Sequence, residues 1–191
     1  MAFAAQLFAT YLLLLVVSFG PGYVFVRRLG WNRLETLCAA VGLSHLFIYL
    51  AATAIYLLGW GPAAYGVVTL ACVVLCGFGA RRFGGFFVGR TVRRTVLGFA
   101  LLLGWGLLLL AMVRNCSGGM WAGDYWEHYE RARFFVERRD PSYQFLDMYS
   151  LPARPPFINL LAAFVLGQVG DSFAVYQVVF QFLNLLIYLP L

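Results

Sequence analysis

Long apolar stretches separated by short polar breaks dominate this chain. Phe3–Val26, Thr36–Leu58, Pro62–Gly79 and Thr95–Val113 contain no charged residue, and a helix needs about 20 such residues to cross a bilayer. Each stretch predicts a spanning helix. Pro156–Val169 is shorter: its fourteen residues rise only about 21 Å as a helix, against a hydrocarbon core of about 30 Å. It predicts a re-entrant or interfacial helix. Ser172–Leu191 predicts a fifth span capped by Asp171 or Ser172, with Gln177, Gln181 and Asn184 on one face. Such a stripe joins neighbouring helices or meets substrate, and helix joining is its commoner use.

Between the fourth span and the short helix lies the one charged, aromatic-rich insert. Tyr125, Tyr129, Ala132 and Val136 recur at helical spacing there and predict an amphipathic helix over 125–138, lying along the membrane interface. Glu127 with Arg131, and Arg133 with Glu137, stand four residues apart and add helix-supporting ion pairs. The fold class that follows is all-α: a polytopic membrane bundle of about five spanning helices with external amphipathic and re-entrant or interfacial helices. The chain divides into a three-helix membrane extension over 1–94 and a second membrane module over 95–191, read as the beginning of a longer protein.

Composition agrees with this picture. Sixty-two per cent of residues are hydrophobic and mean hydropathy is +0.80, above the apolar share of soluble domains. The net charge of +6 does not point to nucleic acid. Eight of the fourteen basic residues, all of them arginine, lie in the connections 27–35 and 81–94, a pattern of membrane topology. The positive-inside rule puts both arginine connections in the cytoplasm and the N-terminus, the 59–62 turn and the 114–155 loop outside. A bacterial inner membrane suits this arrangement. Cys38, Cys72 and Cys76 fall inside apolar runs, so no disulfide framework is indicated.

Six of the eight carboxylates lie between Asp124 and Asp147, and a membrane protein that gathers its few ionisable groups in this way marks a polar site. Asp124 with Glu127 has the spacing of a capping box, in which the Asp accepts a helix amide and the Glu reaches back. The same Asp124 is a candidate base that takes a proton from an attacking hydroxyl; a cap would fix its direction, so the two roles are compatible. Glu127 and His128 are candidates for proton transfer or, with Asp124, for holding a divalent ion, although one His and two acids are also common as solvated groups. Tyr125 adjoins them. Arg154 precedes Pro155-Pro156, and its planar fork suits phosphate oxygens; a lipid-headgroup anchor is the equal alternative.

Asp124 after a span, the amphipathic helix, Arg154-Pro155-Pro156 before an apolar helix, and Gly170-Asp171-Ser172 after it together resemble the polyprenyl-phosphate-sugar-dependent glycosyltransferases of the GT-C superfold. Within them the stretch from Arg114 to Leu191 is most similar to the protein O-mannosyltransferase and lipid A aminoarabinose transferase group. The resemblance implies inverting transfer of a sugar from a polyprenyl-phosphate donor to a hydroxyl on a lipid, glycan or protein acceptor, outside the membrane. It implies Asp124 as base; beside it Glu127 is the nearest second acid, and Arg154, Tyr125 and His128 are the candidates at the substrate. The family often has adjacent Asp and Glu, whereas Tyr125 follows Asp124 here. The alternative function is a non-enzymatic subunit or flippase-type binder of cell-envelope lipids.

Overall fold

The computed structural model describes residues 2–112, 122–145, 149–150 and 156–190, with backbone only at 2–3, 80–82, 122–125, 145 and 149–150. Seven α-helices form among these residues: α1 Ala2–Val26, α2 Arg33–Leu57, α3 Ala63–Phe87, α4 Arg90–Met112, α5 Ala122–Val136, α6 Phe157–Val169 and α7 Phe173–Leu185, the last continued by a 3₁₀ turn over Leu186–Tyr188. The only other regular structure described is a two-residue antiparallel pair, β1 Gln144–Phe145 with β2 Tyr149–Ser150. The protein is an all-α helical membrane bundle.

Three helices are long and apolar enough to cross a membrane: Ala4–Val26, Arg33–Leu57 and Arg90–Met112. The other two expected spans are shorter in their apolar part, Ala63–Gly79 and Phe173–Tyr188, which at 1.5 Å per residue reach about 25 Å. Both nevertheless run from one end of the bundle to the other. At one end Arg138 Nη1 donates to the Gly59 carbonyl at 2.9 Å, joining the 59–62 turn to the end of α5. At the opposite end of α2, a Cβ built on Gly89 would stand 2.0 Å from Arg33 Nη1, so the two arginine-bearing turns adjoin each other.

Local chemistry sets the helix ends. Asn32 accepts from the amides of Leu34 and Glu35, each at 3.0 Å, while the Glu35 carboxylate accepts from the Asn32 amide at 3.0 Å. This reciprocal cap starts α2 three residues before the apolar run. The expected long arginine connection over 81–94 is corrected: α3 continues through Arg81 and Arg82 to Phe87, and α4 begins at Arg90. Arginine is a good helix former, so charge there did not end the helix. Ser172 caps α7, accepting from the Val175 amide at 3.3 Å.

In lipid there is no hydrophobic drive between helices, so close contact of small residues matters more. The α1–α2 pair shows this. Pro21 lies inside α1, and at Gly22 a Cβ would stand 2.0 Å from the Ala40 carbonyl oxygen. The Gly22 amide donates instead to Ser44 Oγ at 2.9 Å.

The short helix α6 forms the centre of the bundle. Leu160, Leu161, Ala162, Ala163, Phe164, Val165 and Leu166 are all buried, packed among α1, α2, α3, α5 and α7. Its brevity is as expected, and it is enclosed by protein, as a re-entrant helix would be. Phe157 at its start meets Tyr49 midway along α2, with ring centroids 5.1 Å apart, and its last turn reaches Gln6 of α1, whose side chain donates to the Val169 carbonyl at 3.3 Å. One apolar cluster draws buried residues from α1, α2, α3, α5, α6 and α7, so residues before and after position 94 share a core.

Candidate functional site

The expected amphipathic helix exists, but α5 is folded into the bundle. Tyr129, Ala132, Phe134 and Phe135 are buried in the central cluster, and the helix packs mainly on α6. Both expected ion pairs form, Glu127–Arg131 within α5 and Arg133–Glu137 at its end. The capping-box reading is corrected. The helix begins at Ala122, so Asp124 lies within its first turn and is not the residue that precedes it. Glu127 accordingly turns forward to Arg131, whose Nε donates to Oε1 at 3.0 Å.

That pair is deeply placed: the Arg131 side chain is 2 % exposed and that of Glu127 14 %. His128 is half-buried, and its ring faces that of Phe180 on α7 at 6.4 Å between centroids. Glu127 and His128 are neighbours on α5, Glu127 paired with Arg131 and His128 set against Phe180. The side chains of Asp124 and Tyr125, and all of Arg154, lie outside the described residues, as does the triad of Asp124, Glu127 and His128 considered for a metal. Among the described residues no group of three or more His, Cys, Asp or Glu could hold a metal ion.

A second charged network, larger than the sequence suggested, surrounds Arg133. Its guanidinium reaches Glu130 at 2.8 Å, Glu137 at 2.5 Å and Asp171 at 2.8 Å. Arg139 closes the ring with Glu137 at 2.5 Å and Glu130 at 3.1 Å. Asp171, read from sequence as a cap, also accepts from the Tyr129 hydroxyl at 2.8 Å. Burial pushes the Tyr129 hydroxyl above its ordinary value, and the bond to Asp171 pushes it further. Burial likewise raises the Glu137 carboxyl, but the hydrogen bond and charge of Arg139, together with Arg133, outweigh it and hold the group below its ordinary value.

Aromatic rings line the side of α5 that faces α7. Trp126, Tyr129, Phe173 and Tyr176 form a continuous cluster with centroid separations of 5.3 to 5.5 Å along Trp126–Tyr129, Tyr129–Phe173 and Tyr129–Tyr176. The arrangement therefore combines a buried ion pair, a fixed carboxylate cluster and an aromatic wall at the bundle end shared with the 59–62 turn. Tyr129, Glu130, Arg133, Arg139 and Asp171 were not singled out as site residues. The i, i+3 and i, i+4 charge spacing could have found Glu130 with Arg133 and Glu137, whereas the links of Arg139 to Glu130 and of Tyr129 and Arg133 to Asp171 exist only in three dimensions.

Neither a curated protein nor a solved structure matches the chain. A family model matches residues 15–158, from the middle of α1 to the start of α6 and including all of α5. The chain belongs to this family, described as a family of unknown function (DUF6541).

Proposed function

We propose that this protein is a membrane glycosyltransferase, or the membrane portion of one, that transfers a sugar from a polyprenyl-phosphate donor to an acceptor hydroxyl outside a bacterial inner membrane. The observation that carries the reading is the Glu127–Arg131 pair, buried at 14 % and 2 % exposure inside a membrane bundle. Charge is expensive there and is retained where it is used. Asp124 lies one turn before Glu127 on the same helix, and spacing puts 124, 127, 128 and 131 on one face. Asp124 takes the acceptor proton, and the acceptor oxygen bonds to the anomeric carbon as the bond to the phosphate oxygen breaks. The configuration inverts. Arg154 holds the departing phosphate, whose developing charge needs a fixed cation; a divalent ion would serve the same end. Tyr125 and His128 border the sugar.

A second reading has its own support. Glu127, Glu130, Glu137 and Asp171 each meet an arginine, as carboxylates in a structural clamp would. On that reading the protein binds cell-envelope lipids without chemistry. Transfer of labelled sugar from polyprenyl-phosphate donors, measured in membranes containing the full-length protein, separates the two. Transfer that is lost in Asp124→Asn at normal expression, with donor still bound, supports catalysis; donor binding without transfer in both proteins supports the binder.

A further inference from the structure

The opposite end of the bundle carries features that this reading leaves unused, and we infer that it binds an anionic phospholipid, one acyl chain lying in a groove between α1, α2, α3, α4 and α7 and the headgroup phosphate held by Arg33 and Arg90. The groove has a volume of about 280 Å³. Phe19, Phe83, Phe87, Phe99 and Phe182 line it, and among the described residues Ser18 and Cys76 are its only heteroatom-bearing side chains. An acyl chain suits such a wall. A sugar or nucleotide would leave its polar groups unpaired.

The charge at its mouth is one-sided. Leu37 of the groove lies one turn after Arg33, Phe87 three residues before Arg90, and Val96 two residues after Arg94. Arg28, Arg33, Arg90, Arg93 and Arg94 are exposed, and none of them makes an ion pair with a described residue. Glu35, the one acid nearby in sequence, is occupied in capping α2. Arg33 Nη1 overlies Gly89, so the Arg33 guanidinium stands beside the turn that bears Arg90. Arg27 adds a further sign: its Nε is buried without a hydrogen-bond partner, one turn beyond Tyr23, whose ring packs on Phe19 and Phe83 at 5.0 Å. A buried cationic donor needs an acceptor, and a phosphate oxygen meets that need. Basic pockets between transmembrane helices on the cytoplasmic side recognise anionic headgroups in this way.

Native mass spectrometry of the full chain, released from mixed vesicles of phosphatidylglycerol and phosphatidylcholine, tests the site. The expected result is at least about ten-fold preferential retention of phosphatidylglycerol, falling toward equality in Arg33→Gln/Arg90→Gln. Filling the groove by Val96→Phe, or by Leu189→Phe should the first variant fold poorly, lowers that retention while the exposed control Leu97→Phe does not. Equal retention of the two lipids overturns the proposal, as does a preference untouched by the arginine substitutions. Retention unaffected by both groove fillings, or displacement of the lipid by millimolar inorganic phosphate, reduces the site to a headgroup attraction and overturns the role of the groove.

Discussion

Tyr129 donates its hydroxyl to Asp171 Oδ1 across 2.8 Å, tying the middle of α5 to the break between α6 and α7 42 residues later. The same carboxylate accepts from Arg133 Nε at 2.8 Å, so α5 is held to the α6–α7 corner by one acid and two donors. A hydrogen bond to a charged group contributes about 1.5 to 3 kcal/mol. Tyr129→Phe keeps the ring and loses the bond, and should lower stability by that amount in detergent unfolding, with the helix content of the folded state unchanged.

The same bond sets an alkaline limit. The Tyr129 hydroxyl is held above its ordinary value of 10.0, first by burial and then by Asp171. The folded protein therefore keeps a proton that the unfolded chain has lost, and the stabilisation is present in full below pH 10 and lost as pH rises through the folded value. The thermal midpoint should decline above pH 10, and Tyr129→Phe should decline less steeply. An identical slope in both proteins would assign the effect to other groups.

How much of this could be read from the chain varies with the range of the interaction. Three spans, the short α6 and the pairs Glu127–Arg131 and Arg133–Glu137 depend on spacing within one helix, and spacing is present in the sequence. The burial of α5 and α6 was not legible. Phe134 and Phe135 suit an interface as well as a core, and only packing against other helices distinguishes the two. The α5 start at Ala122 was missed because Asp124 and Glu127 satisfy the cap pattern two residues later. Arg138 illustrates a further limit: with φ at 53° it takes the left-handed position after α5 that glycine usually fills, held there by its bond to the Gly59 carbonyl.

The Glu127–Arg131 pair makes a prediction independent of any activity. Removing one member of a buried pair leaves a charge without its counterpart and costs about 3 to 5 kcal/mol. Arg131→Ala should lose that much, whereas Arg28→Ala, at an exposed position, should stay within about 0.5 kcal/mol of the parent. Similar unfolding midpoints for the two variants would show that water or lipid headgroups reach the α5 site.

Close packing of α1 on α2 predicts an asymmetry among glycines. At Gly22 a methyl group would stand 2.0 Å from the Ala40 carbonyl oxygen and 2.9 Å from the Ser44 nitrogen, both backbone atoms that cannot turn away, whereas at Gly66 nothing lies within 4 Å. Gly22→Ala should force the helices apart at a cost of about 1 to 3 kcal/mol. Gly66→Ala, inside α3, should gain about 0.5 to 1 kcal/mol from helix propensity. Thermal unfolding of both variants checks the sign as well as the size, and a tolerated Gly22→Ala would refute the contact.

The arginine ring around Glu137 sets the acid side of the stability profile. Burial alone would raise this carboxyl, but Arg139 and Arg133 bring it below its ordinary value of 4.5. A depressed carboxyl contributes stability that is present above the ordinary value and is lost as pH falls through the folded one. The parent should therefore lose stability progressively below pH 4.5, and Glu137→Gln, which has no proton to gain there, should start lower and decline less. Because Arg133 also bonds to Glu130 and Asp171, Arg133→Gln should shift the α5–α6 contact as well. Hydrogen exchange along α5 at pH 4 and pH 7 reads that contact directly: equal protection of residues 126–136 in parent and Arg133→Gln at both pH values would remove the ring from the account of how α5 is held.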